Sequence, residues 1–95
     1  MMNKVVISRK FKRAFRKFVR RNRSLQIRVE QAIEDLANDT YNPSLGTHKL
    51  EGKLSGLLSC SCGYDCRIIF AIEKDERSGE TAIVLLDVGT HDEVY

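Results

Sequence analysis

The spacing of apolar residues along the chain switches between a strand period and a helix period. Lys4 to Ser8 (KVVIS) reads as a short first strand, and Ser8 is a residue that can cap a following helix. From Arg9 the apolar positions become Phe11, Ala14, Phe15, Phe18 and Val19, the stripe of an amphipathic helix. The pattern breaks near Asn22. Ser24 can cap a second helix, whose stripe is Leu25, Val29, Ala32, Ile33 and Leu36, so the pair predicts a helical hairpin. Asn38 to Gly46 holds the only proline and several turn formers, and reads as a loop.

The rest is strand-like. Leu50 to Gly52 leads into Leu57 to Cys62, with Gly63-Tyr64 as a hairpin turn. Asp65 to Glu73 (DCRIIFAIE) has the β-branched and aromatic content of a strand. Lys74 to Glu80 is a charged turn. Thr81 to Val88 is almost continuously apolar, which predicts a strand that is central or covered on both faces. The order is β-α-α-β-β-β over a single domain, residues 1–95. It predicts an α+β fold in which an N-terminal strand and a three-stranded antiparallel meander form one sheet, with the helical hairpin on one face and the other face open for a site.

Charge adds an asymmetry. Residues 1–23 carry ten of the sixteen Lys and Arg and no acid, whereas residues 24–95 sum to −7. The face of the first helix opposite its apolar stripe carries Lys10, Lys12, Arg13, Arg16, Lys17, Arg20 and Arg21, a patch that attracts polyanions such as nucleic acid, acidic lipid or an acidic protein. No apolar run approaches the roughly 20 residues that span a bilayer. The stretch from Met1 to Ser8 is too short for the apolar core of a signal peptide, and the basic residues follow it. A cytoplasmic protein without a membrane partner is the expectation.

Three cysteines, Cys60, Cys62 and Cys66, lie within seven residues. Cys60 and Cys62 point the same way on one strand, an odd count is no disulfide framework, and reduced, buried thiols are expected. As zinc ligands they supply three groups of the four required, in a spacing that matches no common zinc pattern. No metal or other cofactor is expected.

Other residues are out of place in a core. On the strand from Asp65 to Glu73, Asp65 and Arg67 share one side, and Cys66, Ile68, Phe70 and Ile72 the other. A guanidinium amid an apolar strand is costly unless it faces water or an anion, and it can hold a phosphate by two parallel hydrogen bonds. An ion pair with Asp65 is the simpler alternative. The final strand runs into Gly89-Thr90-His91-Asp92-Glu93-Val94-Tyr95. If Thr90 to Tyr95 makes one helical turn, His91 and Tyr95 share a face. An imidazole beside a phenol at a strand end suits proton transfer, whereas the alternative is a frayed polar tail. His48, in the loop Gly46 to Gly52, is the only other histidine and a possible counterpart, or a plain surface residue.

Three segments, His48-Lys49-Leu50-Glu51-Gly52, Tyr64-Asp65-Cys66-Arg67-Ile68-Ile69-Phe70 and Val88 to Tyr95, come in an order that resembles the RelE/ParE toxin superfamily of toxin–antitoxin pairs. The resemblance is closer to the YafQ-like branch of RelE-type mRNA interferases. It implies a RelE-like fold and a small metal-independent endoribonuclease that cuts mRNA on the ribosome. It also implies a cognate antitoxin as partner, and a site of His48, Asp65, Arg67, His91 and Tyr95. The basic helix and Lys49 would contact RNA. The YafQ pattern carries a further histidine four residues before the aspartate, where this chain has Ser61, and Leu57 to Cys62 lacks the basic residues of RelE-type members. A ParE-like gyrase inhibitor without nuclease chemistry, and an RNA-binding remnant with weakened catalysis, are the alternatives.

Overall fold

The computed structural model describes residues 3–95; Met1 and Met2, part of the leading stretch weighed above, lie outside them. The elements are β1 (Lys4–Ile7), α1 (Arg9–Phe18), α2 (Arg23–Asn38), β2 (His48–Lys49), β3 (Leu58–Gly63), β4 (Cys66–Lys74), β5 (Thr81–Gly89) and α3 (His91–Val94). Short 3-10 turns cover Pro43–Leu45 and Gly52–Leu54. One five-stranded sheet results, in the order β1-β5-β4-β3-β2. β1 runs parallel to β5, and every other neighbouring pair is antiparallel.

The expected α+β architecture is present, with one strand more. β2 is only two residues long, and it brings His48 out of the anticipated loop into register with Ser59. α1 packs on β5 and α2 on β3. The core lies between these helices and the sheet. Phe11, Val29 and Leu36 meet Leu58, Cys60, Ile68, Phe70, Ile83 and Leu85 there. The sequence stripes therefore face the sheet, with Ala14, Phe15, Phe18, Leu25 and Ile33 at its margin.

The helix starts follow from side-chain oxygens that satisfy otherwise orphaned backbone donors. Ser8 Oγ accepts from Phe11 N–H at 3.0 Å. At α2 the cap is Asn22, not Ser24: Asn22 Oδ1 accepts from Leu25 N–H at 3.1 Å, and Ser24 lies inside the helix. Arg21 just before it takes a positive φ of 56°, which turns the chain sharply between the helices.

Two bulges reshape the sheet. In β5 the register passes from Leu85 opposite Phe70 to Asp87 opposite Ile69, leaving Leu86 unpaired. Leu85 and Val88, three apart, thereby both reach the core. β5 is central as expected, but it is not covered on both faces: Val84 and Leu86 on the far side are only half-buried. The second bulge lies between Ser61 and Gly63 and sets Cys62 close to Cys66, which are joined by a disulfide. This corrects the expectation of three reduced thiols. Only the pair Cys60 and Cys62 is excluded by strand alternation; the bulge brings a different pair together. Cys60 remains free and buried, and burial pushes its thiol up to about 12, against the smaller opposing pull of the Arg67 charge. A thiol held neutral is a poor nucleophile for exchange. Because the bridge closes a loop of five residues, Cys62→Ser is expected to cost about 2 kcal/mol. The midpoint of urea unfolding, compared with and without reductant, measures it; an unchanged midpoint would mean that the bond adds no stability.

Candidate active site

The face of the sheet away from α1 and α2 is built by strand alternation. On β3 and β4 the residues between the core positions are Ser59, Ser61, Arg67 and Ile69, paired as Ser59 with Ile69 and Ser61 with Arg67. His48 on β2 stands opposite Ser59, and directly opposed residues of an antiparallel pair project to the same side. His48, Ser59, Ser61 and Arg67 therefore belong to one surface.

α3 crosses this surface. It starts where β5 ends, at Gly89 opposite Arg67, and contacts both β4 and β5. Gly89 allows the approach: a Cβ there would meet Glu93 Oε1 at 3.1 Å and Glu93 Cβ at 3.2 Å. The turn is held by a capping box. Thr90 Oγ1 accepts from Glu93 N–H at 3.3 Å, and Glu93 Oε1 accepts from Thr90 N–H at 2.9 Å. Val94 is buried, and the Tyr95 hydroxyl donates to Ser59 Oγ. The terminal segment is thus an ordered turn and not a frayed tail. Its helical spacing stacks the His91 and Tyr95 rings edge to face, with centroids 4.6 Å apart and planes at 67°.

Asp65 is placed differently from expectation. It sits in the β3–β4 turn and not on β4, with a positive φ of 47° that aspartate tolerates better than most residues. Instead of pairing with Arg67, its Oδ1 accepts from the His91 backbone N–H at 2.9 Å. A carboxylate at the first turn of a helix is favourable, and this one fixes where His91 begins. The Arg67 guanidinium is held by its own hairpin. Nη1 donates to the carbonyls of Cys66 at 2.9 Å and Gly63 at 3.3 Å, and to Ser61 Oγ at 3.4 Å. Ser61, at the position where the YafQ pattern has a histidine, therefore helps to hold the arginine. The acceptors lie in or beside the loop closed by the disulfide.

His48 is exposed, and its Nδ1 lies 3.0 Å from the Gly46 carbonyl oxygen. A carbonyl only accepts, so Nδ1 carries the proton and Nε2 is the lone-pair nitrogen of the neutral ring. His91 Nδ1 lies 3.5 Å from Asp92 Oδ1. The first contact steers the His48 ring through Nδ1; the second, at the limit of a hydrogen bond and to an exposed carboxylate, holds His91 only loosely.

The basic helix is not part of this surface. α1 lies behind the sheet, and Arg9, Lys12, Arg13 and Arg16 line a cleft of their own, with Lys17, Arg20 and Arg21 also exposed. Lys10, near the start of α1, contacts Asp87 at 3.6 Å. Lys49 alternates away from His48 toward the side of Leu58. Ser59 is a site residue that the sequence expectations lack, and Ser61, expected only as the replacement of a family histidine, is an anchor of Arg67. The alternation Leu58-Ser59-Cys60-Ser61-Cys62 already places both on the face of Arg67. Among the described residues, no three His, Cys, Asp or Glu side chains converge as metal ligands, and no helix is long and apolar enough to cross a membrane.

The fold is that of a RelE-superfamily toxin. The structure is similar to YafQ from E. coli strain BL21(DE3), with a TM-score of 0.79, 14% identity and 98% of each chain covered. It is also similar to a copper-bound mutant toxin from Helicobacter pylori, at TM-score 0.76, 21% identity and full coverage of both chains. The toxin in the E. coli DinJ-YafQ toxin-antitoxin complex matches at TM-score 0.72 and 14% identity, over 100% of this chain and 99% of that one. These identities establish a shared fold. No curated protein matches the chain in sequence. The YafQ family profile, described as bacterial toxin of type II toxin-antitoxin system, YafQ, matches residues 3–95. The chain belongs to that family of toxins.

Proposed function

We propose that this toxin is an endoribonuclease that cuts mRNA on the ribosome and thereby stops translation. The observation that carries the reading is the shared surface: two imidazoles, a phenol and an anchored guanidinium on one side of a sheet whose other side is filled by core. RNA contains its own nucleophile, the 2′-hydroxyl. His48, with Nε2 unprotonated in the neutral ring, removes its proton. The oxygen attacks the adjacent phosphorus, and His91 protonates the departing 5′-oxygen. Arg67 stabilises the charge that builds on the non-bridging oxygens. Asp65 acts by holding the His91 backbone, and Tyr95 offers a ring on which a base can stack.

The basic cleft on α1 lies on the other side of the molecule and takes a second stretch of polyanion, for which ribosomal RNA is the fitting candidate. An antitoxin is the expected protein partner, supported by the family and by the relative solved in complex with DinJ. A gyrase-inhibiting reading leaves the imidazole pair and the anchored arginine without a task.

Induction in cells, followed by mapping of mRNA 5′ ends, tests the proposal. New ends within coding regions and an arrest of protein synthesis are expected. An arrest accompanied by DNA breaks and intact mRNA would refute it.

A further inference from the structure

We infer that Ser59 is a positioning residue, which holds Tyr95 and through it the His91 ring for the reaction proposed above. Ser59 is the single buried polar residue among the described residues, with 0% exposure, and alternates in β3 with core-facing Leu58 and Cys60. A hydroxyl buried this deeply costs free energy unless it has a partner. Its partner is the Tyr95 hydroxyl. Tyr95 is 43% exposed, and α3 is one turn long. Few contacts therefore limit the ring: Val94 is buried beneath the turn, and the phenol oxygen is tied to β3. The His91 imidazole leans edge to face on that ring at 4.6 Å. β3 thus sets the orientation of His91 by way of Tyr95, in the same register position that faces His48.

The inference rests on the nuclease reading for its consequence, but not for its geometry. A double-mutant cycle tests the first and nuclear magnetic resonance the second. Ser59→Ala is expected to lower single-turnover cleavage about 2- to 10-fold, the worth of one neutral hydrogen bond. In a Tyr95→Phe background, where the bond is already gone, Ser59→Ala should have no further effect. Without RNA, the ring protons of His91 should shift alike in Ser59→Ala and in Tyr95→Phe, and the latter leaves the buried strand untouched. Equal losses from Ser59→Ala in both backgrounds would overturn the inference, as would His91 ring shifts that ignore both substitutions. A wild-type protein that cuts no RNA overturns the nuclease reading. Ring shifts that ignore Ser59 overturn this inference whichever way the cleavage assay falls.

Discussion

His91→Ala is expected to lower mRNA cleavage by about 10²–10⁴-fold, the usual contribution of a positioned proton donor, and to leave the fold intact. The His91 side chain is 63% exposed, so its removal opens no cavity. The turn that carries it is closed by Thr90 and Glu93, held at its start by the Asp65 contact to the His91 backbone, and seated by Val94. None of these uses the imidazole. Stability should therefore change by no more than about 0.5 kcal/mol, as for an ordinary surface substitution. Single-turnover cleavage of a defined mRNA on translating ribosomes, with urea unfolding of the same preparations, separates the two effects. A rate lost together with stability would make the ring structural, and a rate retained would remove His91 from the chemistry.

Arg67→Lys is expected to be nearly as damaging as Arg67→Ala, at about 10²–10³-fold. One guanidinium nitrogen already serves three acceptors, the Cys66 and Gly63 carbonyls and Ser61 Oγ. A planar group anchored at one corner presents its remaining N–H groups in a fixed direction, where a phosphate can accept them. A lysine ammonium has no such fork; it satisfies the hairpin or the phosphate. Cleavage by the two variants should therefore fall together. A Lys variant close to wild type would show that a point charge is sufficient and that the hairpin anchor has no catalytic bearing.

Much of this arrangement is legible in the sequence, and the residues show why the rest is not. The α1 stripe from Phe11 to Val19 and the Ser8 cap obey rules that act within a few residues, as does the turn that stacks His91 on Tyr95. The start of α2 is ambiguous in sequence because Asn22 and Ser24 are both good caps, and the choice falls to the left-handed corner at Arg21. Strand β2 consists of two polar residues and has no periodicity to read. The Cys62–Cys66 bond depends on a bulge, and a bulge breaks the alternation from which strand neighbours are inferred. The run of β-forming residues after Asp65 draws it into the strand on paper, whereas the turn takes it and aims its carboxylate at the His91 backbone. That His48 lies on the face where α3 is docked by Tyr95 on Ser59 is a matter of register between segments far apart in sequence. No local pattern specifies that.

The open face of the sheet is held here to cut RNA by way of its own 2′-hydroxyl. Its most direct test is a ribosome-bound mRNA that carries one 2′-deoxynucleotide on the 5′ side of the mapped cut. Cleavage at that linkage should vanish, while the unmodified message yields a 2′,3′-cyclic phosphate and a 5′-hydroxyl end. Undiminished cutting at the deoxy-substituted linkage would contradict the account.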